Sequence, residues 1–195
     1  MQHYQEITLL PNNEIGHYFL WSKVYQQLHL ALATLANGEF SNVGVSFPEY
    51  SNSPPRLGRK VRLFAEESTM LNALNITEWL SRLSDYCHIS SIKPVPEITE
   101  FVQVSRKQCV TNPERLARRR AKRKGESFEQ ALAHYEGLKV QGSRLPFVEI
   151  QSESSHNVGD KHRFRLLVDQ QRVKAPQTGL FSCYGLSKTA TVPWF

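Results

Sequence analysis

The first half of the chain alternates between strand-like and helix-like patterns of apolar residues. The run YQEITLL predicts a strand, and the stretch after it carries apolar side chains at helical spacing, among them Leu20, Val24, Leu28 and Leu32. Short β-type runs, turn-rich segments and a second helical stretch then follow. The predicted elements, in chain order, are a strand at 4–10, a helix at 17–36, strands at 43–47 and 61–65, a helix at 68–86 broken near Asn75, and a strand in HISSIKPV.

This order of elements, β-α-β-β-α-β, is that of the ferredoxin-like fold, which many RNA-binding proteins share with proteins of other functions. An RNA-recognition motif would carry an aromatic signature on its third strand, and GRKVRLFAE lacks that signature. We therefore predict an α+β protein whose N-terminal ferredoxin-like domain spans residues 1–98, without base stacking on its sheet. The segment VPEITE, at 95–100, is the predicted junction.

The second half of the chain combines strands with a strongly basic helix. After the junction come the strand-like FVQVSRKQCV, the basic segment, a second helix, and three β-type runs in PFVEIQS, RFRLLVD and LFSCYGL. We predict a C-terminal α+β domain over residues 99–195, with an arginine-rich helix at about 113–124.

The composition is that of a folded protein of 195 residues, long enough to bury a core. No segment has the apolar length of a membrane helix or the pattern of a signal peptide, so we expect a cytoplasmic protein without a membrane partner. The cysteines Cys87, Cys109 and Cys183 lack paired spacing and are expected to be reduced. The formal net charge is +6, and without the seven basic residues between Arg115 and Lys124 the rest of the chain has a charge of −1. Basic character is therefore local, which favours a shaped site for a polyanion.

The basic segment NPERLARRRAKRKGE predicts a helix with one cationic face. Asn112 can cap the helix, Pro113 suits its first turn, and Gly125 provides a stop. Such a helix is about 17 Å long at 1.5 Å per residue. Ser127 and Gln130 then form the pattern of a capping box that opens the next helix. At 100° per residue, one arc of roughly 140° collects Arg115, Arg118, Arg119, Lys122 and Arg123.

A run of charge is most often a solvated helix face. Here, however, the five cations repel one another at i,i+3 and i,i+4 spacing, and a phosphate backbone would offset that repulsion. Arginine outnumbers lysine in the segment, which suits bidentate contacts to phosphate and guanine. We predict a nucleic-acid partner, and the spacing leaves both DNA and RNA open.

Cofactor and metal motifs are absent from the sequence. No histidine pair has the helical spacing of a metal site, and no P-loop, dinucleotide fingerprint or nucleophile elbow occurs. We therefore expect neither a metal nor a small-molecule cofactor. His29 lies at the margin of the apolar stripe of the first helix, where packing can fix a side chain that faces a cleft. The serines at 152–155 follow a strand, where hydroxyls usually close a turn, and Tyr184 fits packing as well as it fits chemistry.

Several motifs, in order along the chain, match one known family. They are GVSFP at 44–48, QVSRKQ at 103–108, NPERLARRR from Asn112, LPFVEIQSES from Leu145, FRL at 164–166, and the C-terminal CYGLSKTATVPWF. Together they strongly resemble the CRISPR RNA-processing endoribonucleases of type I-F systems, of the Csy type in the Cas-six superfamily. The resemblance runs from His3 to the last residue.

The resemblance implies a metal-independent endoribonuclease that is specific for both sequence and structure. Members of that family bind the stem-loop of the CRISPR repeat and cut precursor crRNA at the 3′ base of the stem. The RNA's own 2′-OH is the nucleophile, and the products carry a 2′,3′-cyclic phosphate and a 5′-OH. An imidazole suits the proton transfer because histidine titrates near neutral pH. The protein is then expected to stay on mature crRNA with the other subunits of a type I-F surveillance complex.

The resemblance also assigns roles residue by residue. His29 corresponds to the catalytic histidine, Ser152 to the serine that holds the nucleophilic 2′-hydroxyl, and Ser154 and Tyr184 to further active-site positions. The implied RNA-binding residues are Arg106 and Gln108 at the foot of the stem, Phe164 stacked on the terminal base pair, and the groove-binding cations Arg115, Arg118, Arg119, Lys122 and Arg123.

Three features depart from the family pattern, one of which is that the terminal YGLSKTATVPWF has a single glycine where the wider superfamily has a glycine-rich loop. The loop SHNVGDKHR is long and rich in histidine, so His156 or His162 could approach the site. Lys122 and Lys124 stand where arginine is possible, which keeps phosphate contacts but weakens bidentate ones. Two other functions stay open: a hairpin-binding subunit without turnover, and a DNA-binding protein that uses the same helix.

Overall fold

The computed structural model describes residues 1–36, 40–97, 100–108, 113–136, 143–151 and 163–195. Within them the strands, in chain order, are β1 (His3–Leu9), β2 (Phe40–Ser41), β3 (Gly44–Ser46), β4 (Ser51–Asn52), β5 (Pro55–Arg56), β6 (Lys60–Ala65), β7 (Cys87–Ile89), β8 (Lys93–Pro94), β9 (Glu100–Lys107), β10 (Phe147–Gln151), β11 (Arg163–Val173), β12 (Phe181–Ser182) and β13 (Val192–Trp194). The α-helices are α1 (His17–Leu35), α2 (Ser68–Leu74), α3 (Ile76–Trp79), α4 (Pro113–Lys124) and α5 (Phe128–Ala133), and a 3-10 helix occupies Ser81–Leu83.

The first sheet has β1 in its interior. Its order is β3-β6-β1-β7, with β8 also paired to β1, and its pairings are antiparallel. Ile7 of β1 lies opposite Val61 of β6 and Ile89 of β7. Ile7 and Val61 are fully buried, because alternate side chains of both strands point into the core.

The apolar stripe that predicts α1 is buried along the helix. Leu20, Val24, Leu28 and Leu32 are inaccessible or nearly so, and they belong to the same core cluster as Ile7. His29 follows Leu28 and is half-buried, at the margin of the stripe as the helical spacing predicts. The helix therefore fixes His29 by packing and leaves the residue partly accessible.

The second sheet is antiparallel, with the order β10-β11-β9-β13. Val148 and Ile150 of β10 and Leu166 and Val168 of β11 are buried and join the core cluster. β10 is an edge strand, and α1 packs beside it. Both sheets and α1 belong to one compact unit formed by residues 1–107 and 145–195.

The second compact unit spans Gln108–Arg144 and contains α4 and α5, which pack against each other. Ala117 and Ala131 are its fully buried apolar side chains within the described residues. Arg120 forms an ion pair with Glu126, with Nε and Oε1 2.5 Å apart. The capping box predicted at Ser127 and Gln130 is present at the start of α5.

The prediction of a mixed α+β protein is confirmed, and the differences are local. Asn75 has a left-handed backbone with φ 44°, so the predicted helix over 68–86 divides into α2 and α3 and ends early. The run LFSCYGL forms only the two-residue β12, because the chain then turns through Gly185. The strand β13 was not predicted. The boundary proposed between residues 98 and 99 lies outside the described residues and stays a prediction.

Among the described residues, no helix has the length and apolar character required to cross a membrane.

Candidate functional site

A tight turn after β12 carries the first part of the site. The Gly185 N–H donates to the Ser182 carbonyl at 2.8 Å, and the Val45 N–H donates to the Gly185 carbonyl at 3.0 Å. Gly185 has φ 71°, and a Cβ added there would lie 2.6 Å from Cγ1 of Val45. Glycine is therefore required both for the backbone conformation and for the close approach to β3. This turn holds Cys183 and Tyr184 at fixed positions.

Helix α1 holds this turn through two side chains that lie one helical turn apart. The Tyr25 hydroxyl donates to the Tyr184 carbonyl at 2.9 Å. His29 Nδ1 lies 2.9 Å from the Cys183 carbonyl oxygen. Because a carbonyl oxygen can only accept, Nδ1 carries the proton, and a neutral His29 ring has its basic lone pair on Nε2.

Tyr184 also packs directly on the histidine. The two rings are stacked, with centroids 4.2 Å apart and planes 14° apart. Phe164 approaches Tyr184 edge-on, at a centroid distance of 6.4 Å. The Arg106 Cζ lies 5.1 Å from the Phe164 centroid and 5.6 Å from that of Tyr184. The structure thus brings together four residues that the resemblance placed at the site: His29, Tyr184, Phe164 and Arg106.

The two phenols and the thiol near His29 are held in their neutral forms. Burial raises the pKa of the Tyr184 phenol, Cys183 raises it further, and Arg106 acts in the opposite direction. Burial likewise raises the pKa of the Cys183 thiol, against the effect of its backbone hydrogen bond and of Arg106. Burial raises the pKa of the Tyr25 phenol far above its usual value. Both phenols and the thiol therefore stay protonated at neutral pH, and none of them competes with an imidazole as a base.

A pair of glutamines ties the end of β10 to the same helix. The Gln151 N–H donates to Gln26 Oε1 at 2.8 Å, and Gln26 Nε2 donates to the Gln151 carbonyl at 3.2 Å. The Gln26 amide thus supplies the hydrogen bonds that a further strand would make to this edge. Since Gln26 lies three residues before His29 on α1, the end of β10 is held within about one helical turn of His29.

Several predicted residues lie outside the described residues. They are Ser152 and Ser154 of the active site, the alternative histidines His156 and His162, Cys109, and the capping residue Asn112. Gln108 is described and exposed; it directly follows β9 and opens the second unit.

The predicted cations of α4 are exposed, namely Arg115, Arg118, Arg119, Lys122 and Arg123. Arg118 forms an ion pair with Glu114, with a distance of 3.4 Å between Nη2 and Oε2. Its Cζ also lies 6.0 Å from the Phe128 ring centroid. Arg120 differs from these five because it is half-buried and bound to Glu126 within its own unit. The helix therefore presents these five cations and Lys124 as exposed charges, while Arg120 supports the packing of the unit.

Sequence reasoning missed Tyr25, Gln26 and Cys183. Tyr25 lies four residues before His29, and this helical spacing is a signal that the two side chains share a face. The contribution of Cys183 is its backbone carbonyl, for which the sequence carries no signal. In the described parts of the chain, no group of three or more His, Cys, Asp or Glu side chains is placed to hold a metal ion.

Comparisons with known proteins identify the family of the chain. A family model described as CRISPR-associated protein (Cas_Csy4) matches residues 4–195. Two curated relatives are both named CRISPR-associated endonuclease Cas6/Csy4. Each is 38% identical to the chain, and each match covers 100% of this chain and 100% of the relative. One is from Escherichia coli (strain UTI89 / UPEC) and the other from Pseudomonas aeruginosa (strain UCBPP-PA14). The chain belongs to the Cas_Csy4 family, which confirms the predicted family, and the curated names support the predicted nuclease class of enzyme.

Two solved structures also match over most of the chain. One, named CRISPR associated protein Cas6, covers 98% of each chain with a TM-score of 0.35 and 11% identity. The other, named An RAMP protein binding different RNA substrates, covers 98% of this chain and 100% of its own with a TM-score of 0.31 and 13% identity. At these values they add nothing to the family assignment.

Proposed function

We propose that the chain is a metal-independent endoribonuclease that binds the CRISPR repeat stem-loop and cuts precursor crRNA at the 3′ base of the stem. The observation that carries this proposal is the hydrogen bond from His29 Nδ1 to the Cys183 carbonyl. It makes Nε2 the basic atom of a neutral ring, in a cluster whose phenols and thiol stay protonated. Membership of the Cas_Csy4 family supports the same class of reaction.

In the proposed reaction, the RNA supplies its own nucleophile. His29 Nε2 removes the proton from a ribose 2′-OH, and the oxygen attacks the adjacent phosphorus. The bond from phosphorus to the 5′-oxygen of the next nucleotide breaks, and that oxygen takes up a proton. The products are a 2′,3′-cyclic phosphate and a 5′-OH. Ser152 is proposed to hold the ribose in line for attack, and Ser154 is proposed as a further active-site position. Both assignments rest on the family resemblance.

The cluster beside Tyr184 is proposed to hold the foot of the RNA stem. Phe164 stacks on the terminal base pair, and Arg106 reads the base pair at that position together with Gln108. The contacts of Arg106 with two aromatic rings support this role, because they restrict the guanidinium before RNA arrives. A guanidinium fixed in this way is suited to bidentate contact with a guanine edge.

The exposed face of α4 is proposed to lie along the phosphates of the stem. Arg115, Arg118, Arg119, Lys122 and Arg123 would supply these contacts. We also propose that residues 1–98 form a ferredoxin-like domain and residues 99–195 the RNA-binding domain. The product would stay bound, in the cytoplasm, together with other subunits of a type I-F surveillance complex. Many phosphate contacts favour such slow release.

The proposed chemistry is tested with EDTA present and two labelled RNAs. One is the repeat RNA of the host's own CRISPR array, and the other carries a single 2′-deoxy nucleotide at the cut position. We expect cleavage of the first RNA only, with a 2′,3′-cyclic phosphate on the product. Binding of both RNAs without cleavage would instead identify a hairpin-binding subunit that lacks turnover. Duplex DNA bound as tightly as the hairpin would favour the DNA-binding alternative.

A further inference from the structure

A groove of about 550 Å³ runs between the exposed side of α1 and the outer face of β10. It is separate from the His29 and Tyr184 stack and has no role in the mechanism above. The residues that define it are Tyr18, Lys23, Gln26, Phe147, Gln151 and Arg163.

Aromatic rings form one wall of this groove. Tyr18 is 62% exposed, and its ring lies 5.9 Å from that of Phe147, with planes 34° apart. Arg165 also contacts Phe147, with its Cζ 4.6 Å from the ring centroid. Aromatic rings that line an open groove beside a guanidinium are typical of surfaces on which single-stranded bases stack.

The groove also has a cationic bias. Lys23 and Arg163 line it, and Lys23 Nζ lies 5.1 Å from the ring of exposed Phe19. Among the lining residues that the structure describes, the one carboxylate is that of Glu149, which lies 3.7 Å from Arg165 Nε in an ion pair. The combination of cations and aromatic rings suits a phosphate backbone with unpaired bases more than it suits an apolar peptide.

The groove begins where the proposed reaction takes place. Gln26 and Gln151 line one end of it, and Gln26 is three residues before His29 on α1. Tyr18, at the other end, is eleven residues before His29, or about 16 Å along the helix axis at 1.5 Å per residue. This distance is the length of a few nucleotides.

The two faces of the second sheet separate the stem from the groove. Phe164 and Arg163 are consecutive in β11, so their side chains point to opposite faces. Phe164 lies on the side of Tyr184, where the stem foot is proposed to stack, whereas Arg163 lines the groove. The stem would therefore lie on one face of the second sheet and the groove on the other. An RNA strand that leaves the stem and passes His29 at the edge strand β10 would reach the groove.

We propose that this groove binds the single-stranded nucleotides immediately downstream of the cut, with bases on Tyr18 and Phe147 and phosphates beside Lys23 and Arg163. This inference rests on the proposed function, since it takes His29 as the position of the reacting phosphate. The first downstream nucleotide is covalently joined to that phosphate and must lie near His29. The 5′ flank of the hairpin begins on the opposite strand of the stem, one duplex width away.

The test compares the affinity of the full chain for two RNAs that it cannot cut. Both carry a 2′-deoxy nucleotide at the cut position; one ends there, and the other continues for three more nucleotides. We expect the longer RNA to bind at least about fivefold more tightly, the effect of one stacked base. The double variant Tyr18→Ala with Phe147→Ala should lose this gain and bind the shorter RNA as the wild type does. Equal binding of the two RNAs by the wild type would overturn the proposal.

Charge variants provide a matched control on the same strand. Arg163→Ala should reduce the gain in affinity that the downstream nucleotides provide. It should also flatten the salt dependence of binding, lowering the slope of log affinity against log salt by about 0.7. Lys174 is also exposed but follows the opposite end of β11, so Lys174→Ala should leave the gain intact. An equal loss in both variants would contradict a local site.

Photo-crosslinking separates the groove from other routes of the RNA. A 5-iodouridine at the third downstream position should crosslink to Tyr18 or Phe147, whereas one in the 5′ flank should not. Crosslinks to these rings from the 5′ flank alone would overturn the assignment. Failure of the wild type to bind even the shorter hairpin would refute the proposed function itself, which is a different result from a failure of the groove.

Discussion

The imidazole of His29 and the phenol ring of Tyr184 lie face to face, with centroids 4.2 Å apart and planes 14° apart. The stack fixes the plane of the imidazole, and the hydrogen bond from Nδ1 to the Cys183 carbonyl fixes its rotation. Both restraints come from consecutive residues of one turn, which Tyr25 and Gly185 hold in place. The position of Nε2 is thus determined by the protein before any RNA is bound.

The stack predicts different results for two substitutions of Tyr184. Tyr184→Phe keeps the ring and both backbone carbonyls, so we expect most of the cleavage rate to remain. Tyr184→Ala removes the ring that orients His29 and should lower the single-turnover rate by about tenfold or more. Because burial, and then Cys183, raise the pKa of the Tyr184 phenol, it stays protonated at neutral pH. The cleavage rate of Tyr184→Phe should therefore show the wild-type pH dependence between pH 6 and 8, which is roughly the range in which histidine titrates. A changed pH profile would instead assign the phenol a role in proton transfer.

The glutamine pair predicts a loss of rate without a loss of affinity. Gln26→Ala removes both hydrogen bonds to the Gln151 backbone and frees the end of β10. A displacement of about 1 Å near reacting groups can cost a hundredfold in rate, so we expect a decrease of ten- to a hundredfold in single-turnover cleavage. Binding of the hairpin product should change little. The neighbouring Gln27→Ala is the control, and a similar loss of rate there would point to a general effect on α1.

The turn after β12 predicts a stability difference between two glycines that both have positive φ. Gly185 and Gly125 have φ 71° and 68°. A Cβ added to Gly185 would lie 2.6 Å from Val45, whereas a Cβ added to Gly125 would have no atom within 4 Å. Gly125→Ala should therefore cost about 1 kcal/mol of unfolding free energy, from the backbone alone. Gly185→Ala should cost about 1–3 kcal/mol more, from overpacking. Chemical denaturation measures both, and equal losses would show that the contact with Val45 relaxes.

The exposed face of α4 predicts a change in salt dependence. Arg118→Ala combined with Arg119→Ala should weaken hairpin binding and flatten the dependence of log affinity on log salt by at most about one unit per lost phosphate contact. Arg82→Ala combined with Lys174→Ala removes the same charge from exposed positions outside α4. Titrations at several salt concentrations should separate the two pairs. An unchanged slope in the α4 variant would count against phosphate contacts by this helix.

The sequence predicted those elements whose signals are local. The helix α1 has a long apolar stripe, and α4 has Pro113 at its start and Gly125 after its end, so both bounds agree closely with the prediction. The strand β13 was missed because Pro193 interrupts its pattern, although proline is tolerated there since β13 lies at the edge of its sheet.

The site was predicted only in part because its contacts are distant in sequence. The position of His29 at the margin of the stripe was visible from helical spacing, but its role came from the resemblance. The Tyr25 bond to Tyr184 joins residues 159 positions apart, and the Gln26 bonds to Gln151 span 125. Periodicity within a segment carries no information about such pairs. Backbone acceptors such as the Cys183 carbonyl are equally invisible, since every residue has one.

His29 is proposed to perform proton transfer without contributing to RNA binding. The most direct measurement compares single-turnover cleavage and hairpin affinity for the wild type, His29→Ala, and a control, His88→Ala, at an exposed position on β7. We expect His29→Ala to lose cleavage by a factor of about 10²–10⁴ or to abolish it, with the hairpin affinity nearly unchanged. His88→Ala should match the wild type in both. If cleavage persists in His29→Ala, or if binding is lost together with cleavage, His29 does not have this role.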